Sequence, residues 1–349
     1  TAPSVVSLTQ NKLAARPTEP VREDRKERSR TPAGEAVEFE TGDGFQLRGT
    51  YFPAADPVAT VVVHPATSVP SGYYHRFAAY LASEGLSTLT YDLRGMGQSK
   101  PRTLRGFHAD KIVWGEQDMS AAFEWLEDQH PDLPHFVVGH SVGGQFQGIA
   151  KRPQDIDGLL SVGSGFGSWM TMRAPYKWFV ALTWYVTVPL LTRLFGYLPS
   201  KRIGFGEDLP AAAARQWARW GKRANYFADD FRRRDGFVRF DAPWLALRAT
   251  DDDITTPEIA HGLYETYPYA KPEERVLAPK ALAKCSPGHP ASLRPHHAAL
   301  CRLHRLARPP TPLLHDTVLR GRRQSIDHTH RHARAALARH PPPLTPPPP

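Results

Sequence analysis

Apolar residues along this chain fall into two kinds of run, and their alternation predicts an architecture. Short, mostly apolar stretches read as buried strands: Thr60 to Val63, Leu86 to Tyr91, Phe136 to Val138, Gly158 to Val162, Trp244 to Leu247 and Glu274 to Leu277. Between them lie amphipathic stretches at helical spacing. Phe77, Tyr80 and Leu81 mark one over Tyr73 to Ser83, and Trp114, Met119, Phe123 and Trp125 mark another over Ile112 to Gln129. Ahead of the series, alternating Val37-Glu38-Phe39-Glu40, the turn Gly42-Asp43-Gly44 and the stretch Gln46 to Phe52 predict an antiparallel hairpin. Strand–helix alternation builds a mostly parallel sheet with helices on both faces and ligands at the strand C-termini. The predicted class is α/β, in one domain over residues 36–290.

Within that pattern the most informative stretch is Gly139-His140-Ser141-Val142-Gly143. An apolar run, His135 to Val138, precedes it and a helix-compatible segment, Gln145 to Lys151, follows. A strand, a sharp turn and a helix with Ser at the apex form the context of a nucleophile elbow, whose glycines allow unusual dihedrals and close strand–helix approach. The pattern alone is weak, since roughly one chain in ten of this length carries it by chance. A bland alternative is that Ser141 merely caps a helix.

Composition divides the chain further. The net charge of +9 falls wholly on residues 281–349, where ten Arg and one Lys face only Asp316 and Asp327. That segment contains no aromatic residue, yet holds both Cys (Cys285, Cys301) and nine of the 16 His. Such a segment cannot bury enough surface to offset its ordering entropy, so residues 291–349 are expected to be a disordered tail. Its composition also fits a GC-rich coding sequence read out of frame from near residue 283. No aromatic platform accompanies its arginines, which argues against a nucleic-acid-binding arm. Residues 1–35, with the cluster Arg22 to Arg28, are likewise expected to be a disordered, solvated segment. No signal peptide is legible, and the body has no Cys framework, so a cytoplasmic location is expected.

The chain resembles an α/β-hydrolase over about residues 36–289. The elbow is one match. Another is Asp92-Leu93-Arg94-Gly95-Met96-Gly97-Gln98-Ser99, which is similar to the D-x-R-G-x-G-x-S loop after that family's fourth strand. Leu194-Phe195-Gly196-Tyr197-Leu198 and Gly206-Glu207-Asp208-Leu209-Pro210 resemble an uncharacterised bacterial branch of predicted hydrolases.

The resemblance implies a Ser-His-Asp mechanism with Ser141 as nucleophile and the Val142 amide as one oxyanion donor. The second donor belongs just after the third strand, in His64-Pro65-Ala66-Thr67. Pro65 has no N–H, which leaves Ala66 or Thr67; matching position favours Ala66. The acid belongs after Trp244 to Leu247, where Asp251, Asp252 and Asp253 stand. The family's loop favours Asp252, with Asp251 as the alternative. The base is expected after the last strand, at Gly288-His289, ahead of His261 on the preceding helix. The family usually continues with aromatics there, whereas this chain has Pro290-Ala291-Ser292, so the reading frame is suspected to fail close to His289.

The 75 or so residues before Pro243 are expected to carry a helical lid, about residues 164–240. Its apolar stretch Trp178 to Thr192 is only 15 residues between Lys177 and Arg193 and contains Pro189, so no stable membrane insertion is expected. The helix Leu209 to Arg223, with Trp217 and Trp220, is expected to brace it. The implied function is a serine hydrolase acting on an ester-like bond of a small-molecule acyl substrate through an acyl-enzyme. No metal, nucleotide or organic cofactor is implied, because the body has neither clustered Cys/His spacing nor a P-loop. The rival is a catalytically inactive hydrolase-fold scaffold, natural or produced by the altered C-terminus. Esterase, thioesterase, amidase and acyltransferase chemistry stay open, as do substrate identity and oligomeric state.

Overall fold

The computed structural model describes residues 34–228, 230 and 235–278, all within the unit Pro32–Pro349. The expectations for the N-terminal segment before residue 34, for the tail and for His289 lie outside the described residues. Among the described residues ten strands run in chain order: β1 (Glu35–Glu40), β2 (Gln46–Phe52), β3 (Ala59–His64), β4 (Leu86–Tyr91), β5 (His135–His140), β6 (Gly158–Val162), β7 (Tyr197–Leu198), β8 (Leu209–Pro210), β9 (Trp244–Ala249) and β10 (Glu273–Leu277). β7 and β8 form a small antiparallel pair, and the other eight make one sheet in the order β1-β2-β4-β3-β5-β6-β9-β10. The hairpin β1–β2 is antiparallel in the register Glu40↔Gln46, and β2 joins β4 antiparallel. From β4 to β10 every pairing is parallel.

The strands bury both faces because their side chains alternate between two cores. Val62, Leu89, Val137, Leu159 and Ala246 point into one, with Trp114, Phe123, Phe146 and Phe227. Their neighbours Val61, Val63, Phe136, Val138, Leu160, Val162 and Leu245 point into the other, with Phe77 and Leu81 of helix His75–Ser83. Burying each large apolar side chain contributes about 1.5–3 kcal/mol, so a one-residue register slip would be costly everywhere at once. The chain leaves β3 for β4 on one side and returns to β5 on the other. The C-terminal ends of β3 and β5 therefore flank the switch point where ligands bind in open α/β sheets.

Three helical expectations need correction. The helical run Lys111–Gln129 is not uniform, since Trp114–Met119 widens into a π-helical stretch. The helix after Ser141 spans only Val142–Gln145. Its continuation is diverted: the Tyr267 hydroxyl donates to the Gln145 carbonyl at 2.9 Å and accepts from the Gly148 amide at 3.1 Å, and the Gln147 side chain donates to the Gly143 carbonyl at 2.5 Å. Pro189 does not interrupt its apolar stretch either. A π-turn at Thr183–Thr187 opens the helix just before it, where the missing N–H and ring would otherwise conflict with regular bonding. The helical run Tyr176–Phe195 is thus 20 residues, long and apolar enough to cross a membrane by length and composition.

Candidate active site

The elbow at the end of β5 is held in a conformation that its glycines make possible. Ser141 has φ 52° and ψ −112°, a positive φ that a non-glycine residue adopts only when its surroundings enforce it. Its backbone is tied on both sides: the amide donates to the Val162 carbonyl at 2.9 Å, and its carbonyl accepts from Gly144 N at 3.0 Å and Ser164 Oγ at 2.9 Å. A Cβ on Gly139 would lie 2.5 Å from the Gly143 and Gly144 backbones, and one on Gly143 would run into the His64 carbonyl. Both glycines are therefore required by close approach. The Ser141 side chain faces a cavity and remains half-exposed. Val142, directly after it, opens the short helix, where a backbone N–H has no partner inside the helix.

The loop after β3 approaches this elbow across the switch point. Ala66 through Val69 form a turn closed by the Val69 amide on the Ala66 carbonyl at 3.2 Å, with Ser68 at φ 64°. The Ala66 amide donates to the Tyr74 hydroxyl at 2.9 Å. That oxygen also lies 3.0 Å from His140 Nδ1 and shares a hydrogen bond with the imidazole. Tyr74 is buried, and burial pushes its phenol well up, which keeps the proton in place. His64 is buried against the Tyr91 hydroxyl at 2.8 Å, and desolvation pushes it down to about 3, so it is neutral near pH 7.

The Asp92 to Ser99 loop supports this arrangement. Asp92 accepts from Ser71 N at 2.7 Å, Ser71 Oγ at 3.0 Å and Gln98 N at 2.9 Å, tying the β4 end to the helix entry beside Tyr74. Arg94 bridges Asp118 at 2.6 Å and Asp43 at 2.6 Å, anchoring the β1–β2 turn. The motif is a brace, and Gly97 is required in it because a side chain would collide with the Asp92 carboxylate.

Of the three candidate acids, Asp252 is fixed. Its Oδ1 accepts from Ile254 N at 2.9 Å and Thr255 N at 3.0 Å, and its Oδ2 is turned toward Gly163 at the end of β6. Gly163 and Thr255 both line the same cavity as Ser141. Asp251 is exposed on the turn. His261 stands on helix Pro257–Tyr264, largely exposed, with Nε2 3.8 Å from Glu274. Among the described residues no histidine bonds to Asp252 or to the Ser141 hydroxyl.

The cavity itself measures about 320 Å³. Met172, Tyr176, Phe179, Val180, Trp184, Trp217, Tyr226 and Ile259 line it with apolar surface, and Ser141, Ala66 and Thr67 supply the polar end. The helical run Tyr176–Phe195 covers one side, while Trp178, Leu182, Tyr185, Val186, Leu190 and Leu194 on the same run are exposed. Sequence reasoning missed Tyr74, which captures the Ala66 amide, and Lys111, which donates to Thr67 Oγ1 at 2.5 Å. Neither carries a motif; only the buried position of a lysine inside an amphipathic pattern could have drawn notice.

Residues 55–278 match the family described as Serine aminopeptidase, S33. The monoacylglycerol lipase of Mycolicibacterium smegmatis is 30% identical over 92 residues, 26% of this chain and 32% of that protein. An uncharacterised abhydrolase domain-containing protein of Dictyostelium discoideum is 32% identical over 95 residues, 27% of this chain and 10% of that protein. The chain therefore spans about a third or less of the length of these curated relatives. Among solved structures, DcsB in complex with its substrate analogue superposes with a TM-score of 0.54 at 16% identity, covering 84% of this chain and 99% of the other, a likeness of fold. With the family match covering more than half of the chain, and with an eight-stranded sheet carrying the elbow at its switch point, this protein belongs to the S33 serine aminopeptidase family and has the α/β-hydrolase fold.

Proposed function

We propose that this protein cleaves an ester-like acyl bond of a small molecule through an acyl-enzyme. The observation that carries the reading is the enforced positive φ of Ser141 at the mouth of an otherwise apolar cavity. Backbone strain of about 1–3 kcal/mol is retained where it has a use, and here it lifts one hydroxyl out of the β5 end toward the cavity. Ser141 attacks the substrate carbonyl while His289 takes its proton and later returns it to the leaving group. Asp252 orients the imidazole, its Oδ1 already held by two amides. The Val142 amide and the loop bearing Ala66 meet the oxyanion. The helical run Tyr176–Phe195 acts as a lid, and its inward side chains suit an acyl chain better than a peptide. The lipase among the relatives supports the same substrate class.

Labelling of the full chain with a fluorophosphonate probe, followed by peptide mass spectrometry, tests this. Modification at Ser141 that disappears in Ser141→Ala is expected. No labelling of a folded protein would instead mark an inactive hydrolase-fold scaffold.

A further inference from the structure

Lys111 is 1% exposed, and among the described residues no carboxylate lies within ion-pair distance of its amine. Its Nζ sits 5.0 Å from the Trp114 ring centroid and 4.6 Å from that of Trp217, and gives one hydrogen bond, 2.5 Å long, to Thr67 Oγ1. The backbone is pinned as well, since the Lys111 amide donates to Gln216 Oε1 at 2.7 Å. A buried amine facing two indoles and one hydroxyl is an expensive way to fill space. Its one polar partner stands on the loop that must hold the oxyanion, and Thr67 lines the same cavity as Ser141.

We propose that the Thr67 hydroxyl donates to the substrate oxyanion, and that Lys111 is the positioning residue that aims it. This rests on the reading of Ser141 as nucleophile. The Ala66 amide, the donor that position in the chain favours, is already given to Tyr74. Thr67 Oγ1 accepts from Lys111, so the threonine proton is directed elsewhere. The cavity supplies its acceptor when a substrate carbonyl arrives over Ser141. Burial pushes the Lys111 amine well below the ordinary lysine range, so its charge is costly in the empty site. Negative charge gathering on the carbonyl oxygen relieves that cost only as the tetrahedral intermediate forms, which is the differential stabilisation that accelerates the chemical step. No proton leaves the Thr67–Lys111 pair.

The test uses the full chain, a p-nitrophenyl butyrate assay, and thermal unfolding of each variant. Thr67→Val removes the hydroxyl and keeps the shape; kcat is expected to fall about 10²–10³-fold with KM little changed. Thr67→Ser keeps the hydroxyl and should retain most of the activity. Lys111→Met should lower kcat roughly tenfold, the worth of one net hydrogen bond, while its Tm holds or rises because an unpaired buried amine is gone. Added to Thr67→Val, it should cost nothing more. Turnover by Thr67→Val within twofold of the parent, equal damage from Thr67→Ser, or additive losses in the double variant would each overturn the proposal. Should Thr67→Val fail to fold, Thr67→Ala and Lys111→Met give the same comparison. Ser141→Ala run alongside reports on the nucleophile separately: if it retains turnover, the reading beneath the proposal fails, whatever the Thr67 variants do.

Discussion

The indole of Trp184 lies 4.8 Å, centroid to centroid, from that of Trp217, and the pair joins the helical run over the cavity to helix Ala211–Gly221 behind it. Gly221 must be glycine at this contact, because a Cβ there would run into the Trp184 ring. Both indoles line the cavity, so this packing sets its size at the apolar end.

Trp184→Ala is therefore expected to lengthen the acyl chain the enzyme prefers. Trp184 is 4% exposed, and its truncation should cost about 3–5 kcal/mol of stability. A kcat/KM series over p-nitrophenyl esters of increasing chain length, alongside denaturant unfolding, checks both. An unshifted preference in a folded variant would detach the lid reading from the cavity.

Ser141→Ala should lower kcat on short acyl esters by roughly 10⁶-fold, as loss of the nucleophile does in other Ser-His-Asp enzymes. Ser141→Gly should be as inactive but more stable than Ser141→Ala, because glycine adopts φ 52° without strain. Thermal unfolding of the two variants side by side measures the strain directly.

Asp252→Asn should cost about 10⁴-fold in kcat by fixing the wrong imidazole tautomer. Asp251→Asn, on the exposed side of the turn, should cost far less. Comparable losses from the two substitutions would reject Asp252 as the orienting acid.

Stability should fall in acid from a histidine. His64 goes from 6.5 to about 3 on burial, so the folded chain binds fewer protons than the unfolded chain between those values. Its contribution is fully present above pH 6.5 and is lost progressively as pH drops toward 3, about 2 kcal/mol by pH 5. His135, also pushed down by burial, acts in the same direction. Urea midpoints between pH 7 and 5 should show a steeper decline in the parent than in His64→Gln; parallel curves would remove His64 as the cause.

Much of this architecture is written locally. Leu86 to Tyr91 and Gly158 to Val162 are strands to the residue, because short apolar runs favour a buried strand, and Ser141 is at the apex of an elbow, because the glycines around it permit a turn that bulkier residues would block. The side chains that face one another in the site are a different matter. Tyr267 ends the elbow helix at Gln145 from 122 residues away. Tyr74 takes the amide of Ala66, and Lys111 meets Thr67 from 44 residues away, between two indoles contributed by different helices. Periodicity and composition set which segments become strands or helices and which face of each is apolar. Which polar groups meet across that packing depends on loop-borne distances that no local pattern encodes, so the partners of the oxyanion loop were decided only when the chain closed on itself.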